Sequence, residues 1–384
     1  MSLAMQQPSL PASAGEVAAV AARHAAESEE ARGPHPEVVK RLAAAGFLRH
    51  MVPAAWGGRA GGFSELLDAV LPVGEACAAS AWCASLFAAS SRIVSFFPEE
   101  GQREVWAEGP DVAVVSSVTP FGEAERVPEG WRVRGRWPYM SAVEHAEWAV
   151  VCAKTAPEDG SAEPGLRLFL LPRSAFAVED TWQSVGMRGT GSHTVVVDGL
   201  TVPERLSCER ARVFEGRVSE GVAREGRVAP LPAVNGLTFV VPALGAARGA
   251  RAAFAAYLAG KLRNAPRLPG VPGVAGNQVS HELALARSDA EVDAAELLLR
   301  RIADLADGDG EFTPCEVARN VRDTAYAVDL LVSAVNRMFR AAGTSGQRPG
   351  APLERHWRDV NSVATHQALQ PEPAARLYAA AALG

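Results

Sequence analysis

Nowhere in these 384 residues do apolar side chains run on for the ~18–20 positions that a membrane-spanning helix requires. The apolar runs that exist, such as Val112–Val115 and Leu168–Leu171, have the length of strands. Cysteine is sparse and unpatterned. Cys77, Cys83, Cys152, Cys208 and Cys315 are odd in number, widely spread and form no CxxC, which argues against a disulfide framework or a zinc site and for a reducing, cytoplasmic setting. No H-x₃-H or HExxH spacing occurs among the eight histidines, so no metal site is expected. No GxGxxG follows a strand-like run, so a nicotinamide site of the chain's own is not expected either. The amino terminus shows no basic region followed by an apolar one, so no signal peptide is read there. Basic patches are missing too: the net charge is −6, and nucleic acid is a poor candidate partner. Lysine is scarce, three residues against 35 arginines, a bias that points to a GC-rich genome rather than to chemistry.

What is present is ample material for a core. Hydrophobic residues make up 48% and charged residues 21%, so a disordered chain is excluded. At about 150 residues per domain the length allows two or three domains. Apolar residues recur at helical spacing from Ser13 to about Phe97, interrupted by the Gly-rich segment Met51–Gly62. From Asp111 the texture changes to short strands, Asp111–Val118, Trp131–Trp137, Trp148–Lys154, Leu166–Leu171 and Thr194–Val197, separated by Pro/Gly turns. From about Val234 helices return as Gly245–Leu258, Val279–Ala306 and Thr313–Ala342, with Asn264–Gly276 read as a loop. The expected organisation is a helical domain over 1–110, a β-domain over 111–225 and a helical bundle over 226–384. The first and last pack as one body around the inserted β-barrel or sandwich.

Three stretches carry the chemistry. The first is Ser116-Ser-Val-Thr-Pro-Phe-Gly122 together with Gly130–Ser141, which ends in Trp137-Pro-Tyr-Met-Ser141. The second is Val185-Gly-Met-Arg-Gly-Thr-Gly-Ser192, continuing to Val202-Pro203. The third is Trp357-Arg-Asp-Val360 followed by His366. They offer Trp and Tyr for packing on a flat ring, the hydroxyls of Ser141, Thr190 and Ser192, and glycine turns whose backbone can approach a ligand closely. Read without a family, these segments are also compatible with Gly-rich hairpins around a β-core.

The layout and these stretches resemble the acyl-CoA dehydrogenase superfamily over nearly the whole chain. Within it they are similar to the flavin-dependent monooxygenases that form the oxygenase half of two-component systems such as 4-hydroxyphenylacetate hydroxylase. The resemblance implies a mainly α fold with an inserted β-domain, an N-terminal helical domain and a C-terminal four-helix bundle, with flavin between them. It implies reduced FMN or FAD as cofactor, O₂ as co-substrate, and a separate NAD(P)H:flavin reductase as the partner that supplies reduced flavin. It also implies a homotetramer, with the apolar stripe in Ala325–Met338 spaced for helix packing between protomers.

Carried over residue by residue, the resemblance implies Ser141 and His366 as catalytic residues. Ser141 stands where a hydroxyl contacts flavin N5, and His366 where a histidine lies near the flavin C4a edge. Thr119, Tyr139, Ser141, Thr190, Ser192, Arg263, Gln278 and Gly343 fall at flavin-contacting positions. Trp82 and Ser90 fall at the substrate side, with Ser90 where related phenol hydroxylases often carry histidine. That departure points away from a simple hydroxyphenylacetate-type pocket. His145 and His193 are read as surface residues.

A dehydrogenase would need a carboxylate base beside the flavin. The comparable stretch Ala364-Thr-His-Gln-Ala368 holds none. The expected activity is therefore hydroxylation of an aromatic or polycyclic natural product through a C4a-hydroperoxyflavin. N-oxygenation of an aminosugar and acyl-CoA dehydrogenation stand as alternatives, and a non-catalytic binding protein stands behind them.

Overall fold

The computed structural model describes residues 9–157, 163–217, 228–263 and 273–384. Five helices come first: α1 (Leu10–Ala31), α2 (Pro36–Ala45), α3 (Phe63–Ala76), α4 (Ala78–Val94) and α5 (Glu99–Val105). Seven strands follow: β1 (Val114–Val127), β2 (Gly130–Met140), β3 (Trp148–Thr155), β4 (Gly165–Pro172), β5 (Ala177–Glu179), β6 (His193–Val202) and β7 (Ser207–Glu209). The chain closes with α6 (Arg210–Glu215), α7 (Leu231–Arg263), α8 (Gly273–Asp307), α9 (Pro314–Ala342), α10 (Pro352–Val363) and α11 (Pro371–Leu383).

The amino-terminal and carboxy-terminal helices share one body, as the alternation of textures implied. α3 lies against α7 so closely that Gly74 and Gly245 meet backbone to backbone; a Cβ on Gly245 would stand 2.7 Å from the Gly74 Cα. α9 begins with a capping box in which the Thr313 hydroxyl accepts from Glu316 N–H and the Glu316 carboxylate accepts from Thr313 N–H. Phe47, Phe87, Phe96, Phe97 and Phe254 are fully buried in this body, each worth ~1.5–3 kcal/mol of burial.

The strands form one sheet in the order β5-β6-β2-β1-β3-β4-β7. β1 runs antiparallel to β2 and parallel to β3. The sequence reading ended this strand at Val118, yet it continues to Val127. Pro120 offers no N–H to the ladder, and the strand accommodates it by shifting register against β3 between Ser117 and Pro120 and again before Gly122.

Other expectations need correction. The loop expected over Asn264–Gly276 gives way to helix by Gly273, and residues 264–272 lie outside the described residues. The stripe Ala325–Met338 is not free to join protomers. Ala325, Val328, Leu331, Ala334, Val335 and Met338 are buried within the chain, where α9 packs on α7 and α8. His193 is buried rather than on the surface, and its Nδ1 accepts from the backbone N–H groups of Thr181 (3.2 Å) and Trp182 (3.3 Å). His145 is half-buried, donating from Nε2 to Pro34 O at 3.0 Å. No described helix is long and apolar enough to cross a membrane.

Candidate active site

One deep cavity of about 1150 Å³ opens where α4, β1, the end of β2, the turn before β6, the first turns of α7 and the end of α10 converge. Trp82, Ser90, Thr119, Tyr139, Ser141, Thr190, Ser192 and His366, scattered over 285 positions of sequence, all line it. Arg263 and Gly343 do not. α7 reaches the cavity with Leu231 to Phe239, and Arg263 lies 24 residues further, about 36 Å along the helix. Gly343 opens a 3₁₀ turn after α9 with nothing packed at its Cβ position. Gln278 lies in α8, and its side chain is outside the described ones.

One wall is a chain of hydroxyls. Trp82 Nε1–H donates to Ser141 Oγ at 2.9 Å. Ser141 Oγ and Ser192 Oγ are 2.8 Å apart, and Ser192 Oγ and Thr190 Oγ1 are 2.7 Å apart. Thr190 Oγ1 donates to Met187 O at 2.9 Å. The backbone around this wall is unusual. Among the described residues five non-glycines have positive φ, and three of them, Tyr139 (64°), Ala142 (56°) and Met187 (54°), line the cavity. Each left-handed conformation costs roughly 1–3 kcal/mol and persists only where surrounding contacts hold it. Tyr139 itself is 71% exposed at the mouth, edge-on to Trp182, rather than packed in the core.

Met187 is held by a residue 172 positions away. Its N–H donates to Asp359 Oδ1 at 2.6 Å. Asp359 is buried, and desolvation pushes its carboxyl up to about 6 despite that hydrogen bond. Its neighbour Arg358 donates to Val185 O at 2.7 Å. Gly186 lies so close beneath α10 that a Cβ would stand 2.4 Å from Arg358 O. The Trp-Arg-Asp segment thus clamps the Gly-Met-Arg-Gly-Thr-Gly-Ser turn. Trp357 anchors the clamp by stacking on Phe339 at 4.3 Å and donating to Asn336 Oδ1 at 2.6 Å.

His366 lines the cavity beside Trp82. Its ring lies 4.0 Å from that of Phe239 and 5.9 Å from that of Trp82. Nδ1 accepts from Ala368 N–H at 3.2 Å, so the neutral ring carries its proton on Nε2. Burial lowers its pKa to about 4, which keeps it neutral at physiological pH. His366 is therefore a hydrogen-bond donor there, not a stored proton.

Two lining residues, Arg92 and Arg210, were given no role in the sequence reading because they sit in ordinary company, and Arg358 lay in a quoted segment without a role of its own. No aspartate or glutamate lines the cavity among the described residues. Ser90 turns its hydroxyl to Ser116 Oγ at 2.9 Å. Away from the cavity, His24, Glu27 and His35 gather their ligand-type atoms within 4.8 Å of one another, a grouping that spacing alone did not suggest.

The cavity fits a flavin and a ring-shaped substrate together. It has the volume, an open lone pair on a buried serine at the edge of the site, aromatic groups at the mouth and positive charge in the walls. A helical body with an inserted sheet and such a cavity between them defines a class, the acyl-CoA dehydrogenase-like flavoprotein fold. Residues 11–109 match the family model described as acyl-CoA dehydrogenase, N-terminal domain, and residues 237–371 match acyl-CoA dehydrogenase, C-terminal domain. The FADH(2)-dependent resorcinol hydroxylase, oxygenase component, of Rhizobium sp. (strain MTP-10005) is 31% identical, over 92% of this chain and 89% of that protein. The crystal structure of 3-HSA hydroxylase from Rhodococcus sp. RHA1 superposes with a TM-score of 0.89 at 27% identity, covering 98% of this chain and 97% of that one. XiaF from Streptomyces sp., solved in complex with FADH2 and glycerol, gives 0.85 at 27% identity over 98% and 95% of the two chains. The chain belongs to the acyl-CoA dehydrogenase superfamily, in its branch of flavin-dependent monooxygenase oxygenase components.

Proposed function

We propose that this oxygenase component hydroxylates an aromatic or polycyclic substrate, taking reduced FMN or FAD from a separate NAD(P)H:flavin reductase. The observation that carries the reading is the cavity wall without a carboxylate. A dehydrogenase must remove an α-proton with a base at the ring, and none is placed to do so among the described residues. Reduced flavin, when bound, would supply the oxygen-activating chemistry.

The chain's own residues do the rest. Ser141 Oγ, held between Trp82 and Ser192, accepts from the ring edge. His366 Nε2–H faces it as a donor to the oxygen being transferred. Phe87, Leu86, Ile93, Leu231, Val234 and Phe239 exclude water from the substrate end. Tyr139 and Thr119 border the flavin side. We assign the work to the cytoplasm, within a natural-product pathway such as that of an antibiotic. We place the functional divisions at 110/111 and 225/226, which leave every described strand in the middle unit. Assembly as a homotetramer is supported by the exposed apolar side chains of the carboxy-terminal helices, Leu297, Tyr326 and Leu377. Light scattering that gave a monomer mass at micromolar protein would remove that part.

The deciding experiment supplies the protein with FMN or FAD, a flavin reductase and NADH under ¹⁸O₂, with a panel of phenols. Label in a hydroxylated product supports the reading. Anaerobic bleaching of tightly bound oxidised FAD by acyl-CoA thioesters, with no labelled product, would replace it with the dehydrogenase.

A further inference from the structure

Arg92 lies on α4 at the far end of the cavity from Ser141. Trp82, on the same helix, touches Ser141, and ten residues of helix place Arg92 about 15 Å further along. Its guanidinium stands 5.5 Å from the Phe63 ring centroid and 5.2 Å from that of Phe96, with Nη2 donating to Ala229 O. It is partly enclosed and lines the cavity with Ile93, Leu231 and Val234. Among the described residues it has no carboxylate partner, and its Nε and Nη1 donors have no protein acceptor. Arg358, by contrast, is neutralised by Glu354 and Glu29. Arg210 is spent on Val118 O and the Phe214 ring, and lies on the β1 side.

A cation enclosed by aromatic and aliphatic side chains with open donors is costly unless something negative completes it. Burial lowers its pKa only to about 10, so it stays charged at neutral pH. A guanidinium fork suits a planar carboxylate. The apolar neighbours suit the ring that would carry that carboxylate.

We propose that Arg92 is an anion subsite that binds the carboxylate of an elongated aromatic acid, with the ring to be hydroxylated held toward Ser141 and His366. The proposal rests on the oxygenase reading, and it narrows the substrate class to one with an acidic group at the end remote from the reacting carbon. A phosphate of the flavin is the other anion that such a group could meet. The apolar surroundings and the distance from the hydroxyl wall favour the substrate.

The test is anaerobic binding, without turnover, of a matched pair, 6-hydroxy-2-naphthoate and neutral 2-naphthol, to the full chain by calorimetry. The native protein is expected to bind the naphthoate about tenfold tighter or more. Arg92→Met should remove that preference while leaving 2-naphthol and reduced FMN binding unchanged. Arg92→Lys, which keeps the charge and loses the fork, should retain a smaller preference, and it decides the matter if Arg92→Met does not fold. Equal binding of the two probes by the native protein overturns the proposal. So does naphthoate binding unaffected in either variant. Weakened reduced FMN binding in Arg92→Met, with the naphthoate preference intact, assigns the group to the flavin phosphate and overturns it too. Failure to hydroxylate anything would sink the oxygenase reading but would not touch these binding results.

Discussion

Trp82 donates its indole N–H to Ser141 Oγ at 2.9 Å, and an indole can only donate. At the other end of the hydroxyl chain Met187 O can only accept. The protons between them have one consistent arrangement. Thr190 gives its proton to Met187 O, Ser192 to Thr190, and Ser141 to Ser192. Ser141 thus faces the cavity with a lone pair and no proton to give. Reduced flavin carries a hydrogen on N5 and oxidised flavin does not, so with N5 against Ser141, as proposed, the wall would match the reduced form.

Removing the acceptor should weaken that match. Ser141→Ala is expected to raise the dissociation constant for reduced FMN about tenfold and to release more hydrogen peroxide per reduced flavin, as the loss of one hydrogen bond of ~1–1.5 kcal/mol requires. Ser192→Ala acts in the opposite sense: it frees the Ser141 proton, so oxidised FMN should bind severalfold tighter. Anaerobic titrations of both redox forms read this out, and identical affinities in all three proteins would show that Ser141 does not meet N5.

His366→Ala should uncouple oxygen transfer by roughly ten- to a hundredfold, measured as peroxide released per product formed. His366→Gln, whose amide N–H can replace Nε2–H, should recover part of the coupling. Because the native ring is neutral above about pH 4, coupling should show no inflection from this residue between pH 6 and 8. A loss of coupling above pH 6.5 that disappears in His366→Gln would mean that the residue acts as a protonated acid.

Asp359→Ala leaves the Met187 N–H unpaired in a buried place and should cost about 1–3 kcal/mol in stability. The hydroxyl wall should loosen with it, so coupling falls although no residue touching the ligands has changed. Asp359→Asn keeps an oxygen for that N–H and should restore coupling. The carboxyl is raised from 3.8 to about 6 in the fold, so its penalty is absent below pH 4, grows as pH rises to 6 and is constant above. Asp359→Asn should therefore gain stability relative to the native protein across that window, as measured by thermal unfolding at fixed ionic strength.

The buried histidines give the reverse slope. His356 and His366 both fall from 6.5 to about 4 on folding. The unfolded chain binds their protons first, so the stability they contribute is complete above pH 6.5 and drains away as pH falls to 4. Denaturant melts of His356→Gln should show a shallower loss over that interval than the native protein. An unchanged slope would indicate that His356 is already protonated in the fold.

The helical and strand textures were legible because periodicity reports burial directly, and the hydroxyls of Thr190 and Ser192 because they sit in a recognisable glycine turn; Ser141, which follows Trp-Pro-Tyr-Met, was marked by the family resemblance. Arg263 and Gly343 were drawn in by the same resemblance, yet the length of α7 and the turn after α9 carry them away from this cavity. Arg92 was invisible for a different reason. One arginine among 35 carries no local signal, and its meaning comes from the aromatic rings and missing carboxylates that only the fold brings around it. Asp359 lay in plain view within a quoted segment, but its partner Met187 could not be paired with it by spacing. The assembly stripe failed because a helix face of Ala, Val and Leu serves equally well inside a chain or between chains.

The clamp on Met187 also has a temporal side. The glycine turn leaves the ribosome about 170 residues before Asp359, and during that interval nothing of the third segment exists to hold its left-handed backbone. A chain truncated before Asp359 therefore lacks the group that holds the Met187 N–H.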